Sequence, residues 1–348
     1  MIDSFEFVAP LAHQIGPDGP LYAGRVASVD EFGELEWDTP KRCEIAGSYE
    51  AKMTARSCLS EEFPGRSCVF VQASLKVFQG HNLWGTDDVS GLCLEALSLI
   101  CVERGITPSA ADVEDWHRGA ISLKRVDTTY MYDLGTPQRV DTALRAMQDR
   151  GRLKFRGGTN PHPHGVIFGK GSRRWSLMAY NKAAELVAHP LPRGLQGGHL
   201  EAYAAGKLRI EPRIRSQELK RRGLHLLARW GDNTALELHQ DLVQRLNIAE
   251  ADMIEPGTLE GLSGRLQVAY QAWVDGHDLR RMLSRPTFYR YRAELLEHGV
   301  DIALKRPREE AARSNVVPLR LVLEARMVGA PEWAQGTPLY FEPRARVA

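Results

Sequence analysis

The chain has 348 residues, 43% hydrophobic and 26% charged, an ordinary globular composition and enough length for about two domains; collagen-like, disordered and disulfide-scaffold classes are excluded. Lys+Arg 45 against Asp+Glu 44 leaves a net charge of +1, but the charge is segregated. Residues 1–62 hold twelve acidic and five basic side chains, 145–182 hold nine basic to one acidic, and 207–222 hold seven basic to two acidic, the footprint of a phosphate-binding surface or, more simply, of a solvated arginine-rich face.

Period-2 patterning marks strands at Ile2–Val8 and Ser48–Ala55, and a β-branched and aromatic run predicts another over Ser67–Phe78. After GHNLWGTDD, the apolar residues Val89, Leu92, Cys93, Ala96, Leu97, Ile100 and Cys101 recur at spacings of three and four. They predict a helix capped by Thr86 or Asp87, with its N-terminus facing the loop of His81 and Asn82. A strand at Ala120–Tyr132 and a helix from Pro137 to Arg150 follow. Then come strands at Gly165–Gly169 and Trp175–Tyr180, a short helix, and a basic strand at Lys207–Arg215. This alternation predicts an α+β fold on a mainly antiparallel central sheet with flanking helices.

Beyond about residue 216 strand signals vanish and a helical part is expected over 216–310. Thr258–Gly276 reads as one helix. Asp278–Ser284 and a second helix, capped by Thr287 and ending at Gly299, make a two-helix unit carrying Arg290 and Arg292. That is the outline of a helix-turn-helix DNA reader and equally of any αα-hairpin. Residues 311–348 hold one further strand, Val316–Met327, and a tail. No stretch offers the ~18 apolar residues of a spanning helix, and MIDSFEFVAP lacks signal-peptide order, so a soluble protein without a membrane segment is expected. Cys43, Cys58, Cys68, Cys93 and Cys101 form no CxxC pair and read as reduced core thiols.

Several residues are placed to carry chemistry. Asp127 sits inside the apolar run KRVDTTYMY, where an acid must pair, cap or bind a cation to offset its desolvation. Glu211 lies among arginines in LRIEPRIR. Two carboxylates converging from adjacent strands offer the hard oxygens Mg²⁺ prefers; alternatively Glu211 pairs with Arg209 or Arg213, and Asp127 with Lys124 or Arg125. In RRWSLMAYNKAAEL a strand puts Tyr180 and Lys182 on one face. A tyrosine hydroxyl, with a reference pKa of about 10, needs a nearby base, cation or metal-polarised phosphate to act as a nucleophile, and Lys182 is the candidate cation. The alternative is an amphipathic tyrosine at a sheet edge.

His162 and His164 in NPHPHG have an HxH spacing that on a strand would face one metal, although the flanking Pro and Gly argue for a loop. His81 and Asn82 stand before a helix N-terminus, a place suited to phosphate or carboxylate. Arg173 and Arg174 in the turn GKGSRR, and Arg213 and Arg215 on the basic strand, are candidate phosphate contacts. The turn lacks Walker spacing, and GxSxG and HExxH are absent.

The order of these segments resembles the gene II/X replication proteins of filamentous bacteriophages, which are rolling-circle initiators. ASLKVFQGHNLWGTDDV, LKRVDTTY, WSLMAYNKAAEL, LRIEPRIRSQELKRRGL, RPTFYRYRAELLEHGVD and NVVPL carry the resemblance across nearly the whole chain. HGVIFGKGSRRWSLMAYNK is also similar to the strand-turn-strand and YxK signature of single-tyrosine plasmid initiators. The resemblance implies a nickase-like palm in residues 1–215 and a site-specific endonuclease dependent on Mg²⁺ (or Mn²⁺). Such an enzyme nicks the plus strand of double-stranded origin DNA, holds the 5′ phosphate on a tyrosine, and later rejoins the displaced single-stranded DNA. It implies Tyr180 as nucleophile, Lys182 as its supporting cation, and Asp127 and Glu211 as metal ligands. Host helicase and polymerase are implied partners, in the cytoplasm of the bacterial host, and a homo-oligomer on the origin is compatible with it. The chain departs from such enzymes in having no clear HUH strand, His162-Pro-His164 being nearest, and no YxxxY pair. A non-enzymatic sequence-specific DNA-binding protein is the competing reading.

Overall fold

The alternation in IDSFEFVAP builds β1 (Ile2–Pro10), and the strand is apolar on most of both faces because it lies inside a sheet. The computed structural model describes residues 1–150, 160–246, 252–254, 262–274, 277–297, 302–303, 316–318 and 327–343. The other strands are β2 (Arg25–Val29), β3 (Leu35–Pro40), β4 (Cys43–Ala46), β5 (Lys52–Cys58), β6 (Cys68–Ser74), β7 (Ser122–Thr128) and β8 (Tyr130–Asp133). They continue with β9 (Asn160–His162), β10 (Gly165–Phe168), β11 (Trp175–Asn181), β12 (Lys207–Arg215), β13 (Asp252–Ile254), β14 (Val316–Pro318) and β15 (Met327–Val328). The helices are α1 (Lys76–Gln79), α2 (Val89–Arg104), α3 (Ala110–His117), α4 (Pro137–Arg150), α5 (Lys182–Ala188) and α6 (His199–Ala204). After them come α7 (Ser216–Arg221), α8 (Thr234–Gln244), α9 (Gly264–Val274), α10 (Leu279–Met282) and α11 (Arg285–Glu297).

Among the described residues eleven strands form one antiparallel sheet in the order β4-β5-β6-β1-β7-β12-β11-β10-β9, with β8 on β12 and β15 on β8. The fold is α+β on a mainly antiparallel sheet, as the patterning predicts. Its main core joins Phe5, Phe7, Val71, Leu92, Leu97, Val126 and Leu177, and runs on through Leu219, Leu238 and Leu246. Each such burial is worth about 1.5–3 kcal/mol. Cys43, Cys68, Cys93 and Cys101 are buried free thiols, and Cys58 is half-buried. No helix among the described residues is long and apolar enough to cross a membrane.

Several boundaries differ from expectation for local reasons. Ser48–Glu50 is a short 3-10 turn with positive φ at Tyr49 and Glu50, so the strand begins only at Lys52. The run from Ser67 leaves the sheet at Ser74 and closes a helical turn at Gly80, whose φ of 77° is left-handed. Asp88, rather than Thr86 or Asp87, caps α2 by accepting from the Gly91 N–H. Thr129 divides the long strand into β7 and β8. The NPH segment is a strand, β9, despite its proline, because it lies at the end of the sheet. β13 pairs with β14, so the region after residue 216 is not strand-free.

Around α9, α10 and α11, Leu266, Tyr270, Leu279, Phe288 and Leu295 form a small separate core. The expected helix over 258–276 is Gly264–Val274, and 255–261 and 275–276 lie outside the described residues. α10 is a single turn. Ser284, not Thr287, stands at the start of α11: its Oγ accepts from the Thr287 N–H at 3.4 Å. Gly299 lies outside the described residues, as does 319–326 of the expected tail strand, whose ends are β14 and β15.

Residues 327–343 return to the sheet as a strap. β15 pairs with β8, and the Tyr203 hydroxyl donates to the Gly329 carbonyl at 2.8 Å. The Trp84 Nε1–H and His81 Nε2 both reach the Leu339 carbonyl at 2.8 Å. The Phe341 N–H donates to Gln79 Oε1 at 2.9 Å, and its ring stacks on Phe78.

Candidate active site

Alternation along β12 puts Arg209, Glu211 and Arg213 on one face. Register then brings Tyr180 of β11 opposite Arg209 and Asp127 of β7 opposite Arg213. A register shift in β1 between Ile2 and Ser4 lets Asp3 join them, its Oδ1 3.0 Å from Arg209 Nη2. Asn181 ends β11 and caps α5 by accepting from the Ala184 N–H, so Lys182 starts a helix instead of continuing the strand face of Tyr180.

The result is a buried network of opposite charges. The Tyr180 hydroxyl, on a residue only 4% exposed, donates to Glu211 Oε2 at 3.3 Å. Arg209 stands over the Tyr180 ring, 5.7 Å from its centroid, and its Nη2 is 3.6 Å from Glu211 Oε2. Arg213 bridges the two predicted acids, with Nε 3.1 Å from Asp127 Oδ2 and Nη2 3.7 Å from Glu211 Oε1. Arg125 takes the other Asp127 oxygen at 3.1 Å. Asn82 ties the loop to the sheet: its Nδ2 donates to Asp3 at 2.8 Å, its Oδ1 accepts from Lys182 Nζ at 3.1 Å, and its carbonyl accepts from Arg209. Lys182 is fully buried and also donates to Glu185 at 2.6 Å.

Burial sets the protonation pattern. It pushes the Asp127 and Glu211 carboxyls above their usual range, with Asp3 adding repulsion, against the pull of the neighbouring arginines. Burial would also raise Asp3, but Arg209, the Asn82 hydrogen bond and Lys182 outweigh it and hold that carboxyl down. Desolvation lowers Lys182 to about 8, Arg209 reinforcing it against Glu185. The Tyr180 phenol is driven well above its usual value by burial, with the adjacent Arg209 working the other way.

The HxH pair lies beside this network. The His162 ring is 6.3 Å from the Tyr180 ring and 6.5 Å from that of His164. Burial and His164 hold His162 below the usual histidine range. Gly165 permits β10 to approach: a Cβ there would collide with the Ala179 carbonyl and lie 2.7 Å from the Tyr180 Cβ.

His81 turns away from this centre. The Leu339 carbonyl can only accept, so Nε2 carries the proton and Nδ1 accepts from the Leu83 N–H at 3.3 Å. Burial lowers its pKa to about 4. Arg173 is exposed on the β10–β11 turn, and Arg174 donates to Glu218 at 2.8 Å. Arg215 donates to the Ser176 hydroxyl at 3.3 Å. Arg290 is exposed on α11 with its guanidinium over the Tyr291 ring, and Arg292 is half-buried on the same helix. Asp3 and Arg209 join the site although the sequence reading does not single them out as site residues; the Arg209, Glu211, Arg213 alternation is a usable signal for the second.

Mg²⁺ needs near-octahedral oxygen coordination. Here the Asp127 oxygens face Arg125 and Arg213, and Glu211 faces Tyr180, Arg209 and Arg213. Among the described residues no group of three His, Cys, Asp or Glu side chains is disposed to hold a metal ion. In this arrangement the two acids do not fit a resident Mg²⁺, because a guanidinium stands in the cation position.

Fold and centre define an α+β protein whose central antiparallel sheet holds a buried tyrosine–carboxylate–arginine network. The N-terminal family of the phage gene II replication-associated protein matches residues 1–233, and the corresponding C-terminal family matches 265–340. The gene II replication-associated protein of Enterobacteria phage I2-2 is 32% identical over 337 residues, 95% of each chain. That of Enterobacteria phage M13 is 30% identical over 181 residues, 46% of this chain and 42% of its own. No solved structure matches. The chain belongs to the gene II family of phage replication-associated proteins.

Proposed function

We propose that this chain is a phage replication initiator that nicks the plus strand at the origin of the double-stranded replicative form and later rejoins the displaced strand into a circle. The observation that carries the reading is the Tyr180 hydroxyl aimed at Glu211 beneath the Arg209 guanidinium. In the first step Tyr180 Oη attacks the scissile phosphorus, and the phenol proton passes to Glu211. The 3′ oxygen leaves, takes that proton from Glu211, and becomes the 3′-OH from which a polymerase extends. Arg209 and Lys182 hold the negative charge that develops on the phosphate. The phosphotyrosine ester keeps the free energy of the cleaved bond, so attack by a 3′-OH reseals the strand without ATP.

The segregated basic residues supply the double- and single-stranded DNA contacts, with Arg173 and Arg174 on the β10–β11 turn, Arg213 and Arg215 on β12, and Arg290 and Arg292 on α11 acting as a helix-turn-helix-like reader. His162 and His164 border the phosphate site. The setting proposed is the bacterial cytoplasm, with host helicase and polymerase acting downstream and a homo-oligomer on the origin. The Mg²⁺ or Mn²⁺ requirement is a separate proposal. It needs Arg213, whose side chain is 40% exposed, to swing out from between Asp127 and Glu211.

The burial of Tyr180 favours a second reading, a non-enzymatic origin-binding protein, since DNA must open the centre to reach the hydroxyl. Incubation with supercoiled origin DNA, with Mg²⁺ or with EDTA, separates the readings. Nicked circles and a denaturant-stable protein–DNA adduct at Tyr180 are expected. Retarded but intact supercoils would establish simple binding, and full activity in EDTA would remove the metal.

A further inference from the structure

β2 and β3 form a two-stranded sheet of their own, outside the large one, and every residue of β3 except Pro40 is exposed. Isolated hairpins are marginally stable, so this ribbon persists through its own ties. Asp30 Oδ1 accepts from the Phe32 and Glu34 N–H groups at 2.9 and 2.8 Å, while Gly33 supplies a φ of 83°. That tip holds Phe32 out with 83% of its surface in solvent. Val29, Leu35 and Trp37 behind it are 60, 63 and 51% exposed. So many large apolar groups on one projecting element mark a surface that another molecule covers.

Charge decides which molecule. Residues 26–40 carry Asp30, Glu31, Glu34, Glu36 and Asp38 and no lysine or arginine, and of these acids Asp38 is paired with Arg25 at 2.6 Å. DNA phosphates are repelled by such a surface, and two copies of the hairpin repel each other. A protein face with complementary positive charge is attracted, and an aromatic at the centre of the contact is the usual energetic anchor.

We propose that the β2–β3 hairpin docks a partner protein whose contact face is an apolar pocket rimmed by lysine or arginine, with Phe32 as the side chain that fills the pocket. The hairpin lies outside the tyrosine centre, so the nicking and copy-number readouts of the test rest on the replication reading and the crosslink does not.

The test uses the full chain in two variants, Phe32→Ser/Leu35→Ser/Trp37→Ser and the charge-neutralised Glu31→Gln/Glu34→Gln/Glu36→Gln. Both should melt like the native chain and, purified, nick supercoiled origin DNA within about twofold of it, as surface substitutions do. In the bacterial host, the copy number of an origin plasmid maintained by either variant should fall about tenfold or more, the scale of losing interface anchors. A photo-crosslinking amino acid at position 32 should join the chain to one discrete protein in those cells, and neutralising the three glutamates should remove that adduct. Copy numbers within about twofold of native in both variants would overturn the proposal, since lost anchors cost more than that. So would crosslinks only to DNA or to a second copy of this chain, or purified activity that falls in step with copy number. A native chain that does not nick origin DNA counts against the proposed function alone and leaves the crosslinking result decisive for the hairpin.

Discussion

Two clusters of arginine and carboxylate lie on neighbouring parts of this molecule and behave in opposite ways. In the tyrosine centre three carboxylates, Asp3, Asp127 and Glu211, share Arg125, Arg209 and Arg213, of which only Arg213 keeps much contact with solvent, and burial pushes two of the three acids up. At α7 a single buried carboxylate, Glu218, meets Arg174, Arg221 and Arg222 at 2.5–2.9 Å. Burial opposes its ionisation too, but hydrogen bonds from Arg221, Arg222 and Arg174 hold its pKa at about 2. The same residue types make a firm structural clamp when cations outnumber acids and stay partly solvated. They make a protonation-sensitive centre when several buried acids share an equal number of cations, most of them out of water as well.

Tyr180→Phe should reduce the covalent adduct to background while gel-shift binding of origin DNA persists; an adduct that survives moves the nucleophile to Tyr130, Tyr132 or Tyr203. Arg209→Met removes the buried cation that faces both Asp3 and Glu211, leaving Asp3 with Asn82 and Glu211 with Arg213 and Tyr180, and should cost about 3–5 kcal/mol in thermal or urea unfolding. A cost under about 1 kcal/mol would mean that the centre is not held by charge.

Gly165→Ala should cost about 1–3 kcal/mol, as overpacking does, because the new methyl meets the backbone of Tyr180. It should slow nicking more than it weakens DNA binding.

Glu218→Gln sharpens the other side. Glu218 has a folded pKa below its unfolded one, so its contribution is complete above about 4.5 and lost as pH falls through about 2. The difference in melting temperature between native and variant should therefore narrow from about pH 6 to about pH 2; a constant difference would show that the clamp is not electrostatic. The smallest effect is expected for Arg173→Ala, which should reduce the slope of log affinity against log salt by about 0.9 if Arg173 contacts one duplex phosphate.

Where a segment's role is local, the sequence announces it. β12 and α4 begin and end at the predicted residues because charge alternation and apolar periodicity are both decided within a few positions. Asp127 and Glu211 lie on adjacent strands, but they meet through Arg213, the kind of arginine pairing that stands as the alternative to metal ligation, and that meeting depends on strand register, which no single segment encodes. Lys182 illustrates the limit of a strand-face argument, since the Asn181 cap turns the chain into a helix one residue too early for it. The β2–β3 ribbon goes unread although Leu35 and Trp37 alternate with Glu36 and Asp38, because its strands are short and exposed and its pairing shifts register between Ser28 and Val29. Asp3 is invisible for the same kind of reason, its side chain being directed by an irregularity in β1.

The strap places a constraint on time. His81 and Trp84 donate their hydrogen bonds to the Leu339 carbonyl, 258 and 255 positions downstream, and the same loop carries Asn82, which holds Asp3 and Lys182 in place. At about 5–20 residues added per second, a ribosome needs many seconds between making that loop and making its support. Once residue 211 is made, and for the rest of that interval, the nascent polypeptide contains the tyrosine and both acids but lacks the contact that fixes their neighbour. Assembly of the centre is thereby coupled to synthesis of the strap, and products terminated before Leu339 would carry the reactive side chains without the contact that fixes their neighbour.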